Sequence, residues 1–213
     1  MIAFDVERTF PPFTEFGPRA QELMRFFGMT LDTLHRRAVR RRLALTLKAG
    51  QVCYLTGPSG AGKSVLLDAL YEQTPADRRS RIETVALESD AATIDCIDGP
   101  LHKSLELLCR AGLSDIPCLL QPPAALSDGQ KWRYRLAKTL AGGKPILFAD
   151  EFCAALDEIA ARAVACHVRR TADRTGRIFI LAGCRQDILP DLDPDVRVTV
   201  TDTAVDINCR TAT

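Results

Sequence analysis

The sequence predicts an α/β protein with a mainly parallel sheet flanked by helices. Three observations predict it. Short apolar segments alternate with amphipathic ones along the chain. The segments Val52–Thr56 and Pro145–Ala149 run apolar without the polar alternation of a half-exposed strand, as strands buried on both faces do. A Gly-rich loop follows the first of them at once and opens into a helical pattern, the strand-loop-helix order of a covered sheet.

The 213 residues, 46% hydrophobic and 26% charged, are enough for one sizeable core and cramped for two. Lys and Arg number 28 against 27 Asp and Glu, so no global field selects nucleic acid or membrane, and any such binding must be local. The longest apolar stretch, Ile178–Cys184, falls far short of the roughly 18 residues a membrane span needs. Asp5 and Glu7 stand where a secretory leader would carry basic residues, so a cytoplasmic location is expected. The eight cysteines form no CxxC pair, which excludes paired zinc spacing and points to reduced thiols that pack mostly as small hydrophobes.

In chain order, residues 1–30 carry Phe4, Phe10, Phe13, Phe16, Phe26 and Phe27 among three prolines. They read as an aromatic, proline-broken lead-in packed over the main core, with residues 31–213 forming the domain itself. Arg36, Arg37, Arg40, Arg41 and Arg42 form a basic segment, a solvated face or a contact for a phosphate-rich partner such as nucleic acid. Leu43–Leu47 alternates like a half-buried strand, and Val52–Thr56 is an apolar one. Further strands are expected at Arg81–Leu87, Thr93–Ile97, Pro145–Ala149, Arg177–Ala182 and Val196–Val200. Helices are expected at Ser64–Tyr71, Leu101–Ala111, Ser127–Ala141 and Glu158–Arg170, by the 3.6-residue spacing of their apolar positions.

Gly57-Pro58-Ser59-Gly60-Ala61-Gly62-Lys63-Ser64 matches GxxxxGK[ST], the Walker A loop. Its glycines let backbone amides turn inward as an anion nest, which opens onto a helix N-terminus whose dipole favours phosphate. Lys63 is positioned to reach the β- and γ-phosphates, and the Ser64 hydroxyl to bind Mg²⁺. Pro145–Ala149 closes on Asp150-Glu151, the form of a Walker B strand, whose C-terminal end lies where α/β sheets bind ligands. Asp150 then holds Mg²⁺, and Glu151 orients and deprotonates the attacking water.

Leu126-Ser127-Asp128-Gly129-Gln130, with Arg133, Ala137 and Leu140 behind it, resembles the LSGGQ signature of the ATP-binding cassette (ABC) ATPases, with Asp128 the departure inside its five-residue core. Ser127 is also a good helix N-cap, and Gly129 permits close approach. Ala154-Ala155-Leu156-Asp157 resembles the family's D-loop. The resemblance runs from about Leu43 to Val200. It implies a P-loop NTPase core with a small helical subdomain at about residues 99–142. It implies ATP and Mg²⁺ as ligands, and a head-to-tail homodimer in which Ser127, Gly129, Gln130 and Asp157 close over the nucleotide of the other protomer.

The pattern also departs from the family. A Gln that senses Mg²⁺ is expected at a strand end before the signature, and Asp98 stands at the position assigned to it here, a third metal-side residue. A switch His is expected after Ile178–Ala182, where Arg185 is the closest counterpart. Arginine does not exchange protons near neutral pH, which leaves slow hydrolysis or an electrostatic role for Arg185. No adenine-stacking aromatic is evident ahead of the loop. Lys63 and Ser127 are only 64 residues apart, compact for a transporter member. The expected function is therefore a dimeric, Mg²⁺-dependent ATPase switch acting on an unidentified partner, soluble rather than bound to a permease. The alternatives are the ATP-binding subunit of a transporter and a nucleotide-binding module with little hydrolysis.

Overall fold

The computed structural model describes residues 1–10, 16–30, 39–201 and 204–210. Strands β1 (Ile2–Phe10) and β2 (Val39–Leu47) pair antiparallel along their full length, Ile2 opposite Leu47, as a two-stranded sheet. Six more strands form the central sheet: β3 (Val52–Thr56), β4 (Arg79–Arg81), β5 (Ile146–Ala149), β6 (Ile178–Ala182), β7 (Val196–Val200) and β8 (Val205–Cys209). Their order is β4-β5-β6-β3-β7-β8, parallel throughout except that β8 runs antiparallel to β7.

Strands β3, β5 and β6 are buried at every position, which explains their unbroken apolar sequences. Successive side chains enter opposite cores. Tyr54, Leu147, Phe179 and Leu181 belong to the layer beneath the long helix α6 (Glu158–Thr175). Cys53, Leu55, Phe148 and Ile180 pack with helix α2 (Lys63–Gln73) and the β1–β2 sheet. On α6 the buried residues Ala161, Val164, Ala165, Val168 and Ala172 follow helical spacing, and Asp157 caps its start by accepting from the Ala160 amide at 2.8 Å. Helices α3 (Leu101–Arg110), α4 (Ile116–Leu119) and α5 (Asp128–Ala141) lie between β4 and β5 in the chain, and α5 buries Trp132, Tyr134, Leu136, Ala137 and Leu140.

The lead-in reading of the first residues needs correction. Residues 2–10 form a strand whose Phe4 and Val6 are buried in the same core as Leu43, Leu45 and Leu47, while Asp5 and Glu7 face out. Phe26 and Phe27, at the end of helix α1 (Pro18–Phe26), are 81% and 74% exposed and cover nothing among the described residues.

Two expected strands dissolve. Of Arg81–Leu87 only Arg81 is in a strand, because Ile82–Thr84 turns into a 3₁₀ segment that buries Ile82. Residues 93–97 form turns instead of a strand, since the Thr93 and Ile94 amides donate to the carbonyls of Gln121 and Leu119 at 2.8 and 3.1 Å. Strand β8 escaped the sequence reading, although Val205-Asp206-Ile207-Asn208-Cys209 alternates as an edge strand should.

Of the basic segment, the two described arginine side chains are both engaged within the chain. Arg41 is buried and donates to the Thr201 carbonyl at 2.5 Å, and Arg42 is held by both oxygens of Asp5, at 2.9 and 2.7 Å. Arg36 and Arg37, and the side chain of Arg40, lie outside the described residues. Helix α7 (Leu189–Leu192) completes the fold, and no helix among the described residues is long and apolar enough to cross a membrane.

If β1 belongs to the core, Phe4→Ala should destabilise the protein by about 3–4 kcal/mol through the cavity it leaves. Phe26→Ala should change stability by less than about 0.5 kcal/mol. Urea unfolding of the two variants against the parent checks the contrast.

Candidate active site

Strand β6 lies between β3 and β5, so the loops that leave the C-terminal ends of these three strands converge on one cleft. The cleft encloses roughly 420 Å³ and is lined by Ser59, Gly60, Gly62, Lys63, Ser64 and Val65 after β3, by Asp150, Glu151 and Ala154 after β5, and by Gly183 and Cys184 after β6.

The loop after β3 has the shape its glycines allow. A Cβ on Gly57, at φ +144°, would sit 2.0 Å from the Val200 carbonyl oxygen, so only glycine lets the chain leave β3 there. Gly60 and Gly62 also have positive φ, and Gly62 is the N-cap of α2, whose first residues are Lys63 and Ser64. The Lys63 ammonium is buried within the loop and donates to the carbonyls of Gly57 and Pro58 at 2.9 and 2.8 Å. Ala61 is fully buried beneath. The cation and the free amide end of α2 therefore face the same cavity, an arrangement that draws polyanions.

On the opposite wall, Asp150 Oδ1 accepts from the Glu151 amide at 2.9 Å. Glu151 and Cys153 both take left-handed backbone, at φ +45° and +60°, and the Phe152 amide donates to the Ala182 carbonyl at 2.8 Å, anchoring this tight turn to the end of β6. Non-glycine residues in that conformation carry strain that their surroundings must hold, and here they put two carboxylates on the cleft wall facing Lys63 and Ser64. The oxygen donors Ser64 and Asp150, both lining the cleft, form a hard ligand set that suits Mg²⁺.

The structure places two predicted residues outside the cleft, Asp98 and Arg185. Asp98 is exposed in the turn region after residue 97 and does not line the cleft. The strand that pairs with β5 is β4, with Arg81 opposite Phe148, so two residues further on it is Glu83 that stands beside Asp150. Glu83 Oε1 accepts from the Asp150 amide at 2.9 Å and Oε2 from Arg81 Nε at 3.0 Å. Burial is the largest influence on this carboxyl and raises its pKa, with those hydrogen bonds pulling the other way. Nothing short of the β4–β5 register distinguishes Glu83 from the other acids between Arg81 and Asp98.

Arg185 also leaves the cleft. Its Nη1 donates to the carbonyls of Leu156 and Cys153, at 2.5 and 3.3 Å, and its Nε and Nη2 to Asp187, at 3.1 and 2.5 Å. It is a clamp between the loop after β5 and the loop after β6. The residues after β6 that reach the cleft are Gly183 and Cys184. A Cβ on Gly183 would lie 2.7 Å from the Tyr54 hydroxyl, which itself donates to the Arg185 carbonyl at 3.0 Å, so glycine is demanded at this turn.

Ser127, Gly129 and Gln130 do not line the cleft. Ser127 and Gln130 form a capping box at the start of α5: Ser127 Oγ accepts from the Gln130 amide and Gln130 Oε1 from the Ser127 amide. Gly129 sits where a Cβ would meet the Ala155 carbonyl at 3.2 Å, so this helix start abuts the Ala154–Asp157 loop. Asp157 is engaged as the cap of α6.

Residues 41–98 match the family model described as ABC transporter. The cytochrome c biogenesis ATP-binding export protein CcmA of Sphingopyxis alaskensis is 33% identical over 177 residues, covering 74% of this chain and 88% of that protein. The chain belongs to the ABC family of P-loop ATPases. Its activity is the binding and hydrolysis of ATP. The lipoprotein-releasing system ATP-binding protein LolD of Maricaulis maris is 27% identical, covering 78% of this chain and 92% of that one. The macrolide export ATP-binding/permease protein MacB of Salmonella typhimurium is 26% identical over 68% of this chain, which spans only 28% of MacB. Among solved structures, a bacterial ABC transporter cassette described as dimeric shares the fold with a TM-score of 0.66 at 18% identity, over 82% of this chain and 94% of the other.

The ABC cassette contains in Arg185 a residue whose role can be separated from chemistry. Replacing it with Ala should cost about 1–2 kcal/mol, the value of its carbonyl hydrogen bonds, while ATP binding persists. The Arg185 guanidinium holds the Asp187 carboxyl below the usual carboxylate range. For an acid with a lowered folded pKa the stabilisation is present above the unfolded value and is lost as pH falls through the folded one. The difference in urea midpoint between the parent and Asp187→Asn should stay flat from about pH 6 to 8 and shrink as pH falls below the ordinary aspartate value of about 3.9.

Proposed function

We propose that the chain is a Mg²⁺-dependent ATPase in which Lys63 and the amides of the Ser59–Ser64 loop hold the triphosphate, Ser64 and Asp150 hold Mg²⁺, and Glu151 activates water. The observation that carries this reading is the single cleft that sets Lys63 and Ser64 across from Asp150 and Glu151. When bound, Mg²⁺ neutralises charge on the β- and γ-phosphates. Phosphate arriving in the loop offers the Lys63 ammonium better acceptors than the Gly57 and Pro58 carbonyls it now uses. Glu151 stands beyond Asp150 on an exposed turn, free to accept a proton from water. Among the described residues no histidine lines this cleft, and we propose turnover that is slow for such an enzyme as a result.

We further propose a head-to-tail homodimer. Ser127, Gly129 and Gln130 form a capped helix start with nothing to bind in their own chain's cleft, and this surplus is what supports the reading. The partner of the dimer is a protein in contact with the cytoplasm, where ATP is plentiful. One observation favours a membrane permease as that partner: the relatives include export proteins, among them CcmA, nearly nine-tenths of which the chain spans.

Replacing Glu151 with Gln should lower kcat by about 10²–10⁴-fold while nucleotide affinity is kept and the ATP-bound dimer accumulates in sedimentation analysis. Lys63→Ala should remove nucleotide binding itself. Phosphate release from Glu151→Gln at the parental rate would remove Glu151 from the chemistry.

A further inference from the structure

The carboxylate assigned to Mg²⁺ has a neighbour of its own sign-opposite charge. Arg81, at the end of β4, is largely buried, with a side chain 20% exposed. Its guanidinium serves three carboxylates at once. Nη1 pairs with Asp68 on α2, Nε donates to Glu83 Oε2 at 3.0 Å, and Nη2 lies 3.7 Å from Asp150 Oδ2. The guanidinium carbon lies 5.9 Å from the centre of the Tyr71 ring. Guanidinium cannot shed its proton in a protein, and two of its edges are already committed to Asp68 and Glu83. A cation is thus fixed beside Asp150 whether or not a metal is present.

We infer that Arg81 sets the Mg²⁺ requirement of the cleft by holding a permanent positive charge against the Asp150 carboxylate. This rests on Asp150 being the metal carboxylate, as proposed above. Two consequences of the geometry have opposite signs and can be told apart. As a cross-link from α2, which carries Lys63 and Ser64, to β5, which carries Asp150, Arg81 positions the two walls of the site. As a charge, it repels a divalent ion from the oxygen it faces. If the role were only structural, losing Arg81 would weaken Mg²⁺ binding or leave it alone. If the charge governs, losing it strengthens Mg²⁺ binding. Asp68, half-exposed and outside the cleft, supplies a second handle: neutralising it unmasks the Arg81 charge and pushes the requirement the other way.

The test is titration of Mg²⁺ into the full chain with a fluorescent ATP analogue at fixed concentration, reading nucleotide binding and not turnover, beside thermal unfolding of each variant. Arg81→Gln is expected to lower the half-saturating Mg²⁺ about tenfold, the effect of one charge near a divalent ion even with water-like screening. Arg81→Lys, which keeps the charge without the fork, should stay within about twofold of the parent. Asp68→Asn should raise the requirement. An Arg81→Gln requirement equal to or above the parent's overturns the inference. Should Arg81→Gln fail to fold, Asp68→Asn decides, and a requirement that falls or stays put there overturns it equally. Asp150→Asn separates the two levels: if it leaves Mg²⁺ dependence intact, the metal assignment fails and this inference with it, whereas its loss alongside an unmoved Arg81→Gln defeats the inference alone.

Discussion

The site depends on the hydrogen-bonded ladder that places β6 between β3 and β5. A parallel strand buried on both faces has one useful place to put polar chemistry, its C-terminal end, because everywhere else its side chains are consumed by the two cores. Three such strands side by side bring three polar loops within reach of one another. Neither the cleft nor its charges require any contact that the ladder does not already impose: Lys63 follows β3, Asp150 and Glu151 follow β5, and Gly183 and Cys184 follow β6.

Close packing then decides which residues those loops can contain. Gly57 is pressed against the Val200 carbonyl and Gly183 against the Tyr54 hydroxyl, so the exits from β3 and β6 are steric necessities before they are functional ones. The left-handed residues Glu151 and Cys153 are held in their turn by the Phe152 amide bonded to Ala182 and by Arg185 bonded to the Cys153 and Leu156 carbonyls. Arg185 thus holds the turn that carries Glu151 from a distance, outside the cavity. A cation expected at phosphate is used to satisfy two carbonyls and a carboxylate, a cheaper arrangement than leaving those groups unpaired in a half-buried loop.

Local motifs with obligatory geometry were legible in the sequence. The Gly57–Ser64 loop, the apolar strand closing on Asp150-Glu151 and the Ser127 helix cap each declare themselves within a few residues, because each is built from backbone needs that few residue types meet. The three inner strands were legible for the same reason, burial on both faces leaving no room for polar residues. What could not be read was pairing at long range. Glu83 is a neighbour of Asp150 through the register of β4 on β5, sixty-odd residues away in the chain, and a 3₁₀ turn at Ile82 ends the strand earlier than its apolar content suggests. Asp98 stands at the end of residues 93–97, which look strand-like by composition. Their amides instead bond to Leu119 and Gln121, a partnership no local pattern announces. The first strand failed differently: Phe4 and Val6 alternate correctly, but the surrounding aromatic residues, two of which are exposed, hid the period.

The same limitation bears on electrostatics. By composition the chain is almost neutral, and the Arg-rich segment was its most conspicuous charge feature. Folding spends Arg41 on a carbonyl and Arg42 on Asp5, which leaves that segment with little reach toward a polyanion among its described residues. Meanwhile an unremarkable Arg-Ser-Arg stretch delivers Arg81 into a nest of three carboxylates next to the acidic wall of the cleft. Coulomb energy falls with distance and with screening, so a single guanidinium 3.7 Å from Asp150 outweighs charges placed farther away. The charge that matters to such a site is the one the sheet register brings within contact distance, and residue counts carry almost no information about it.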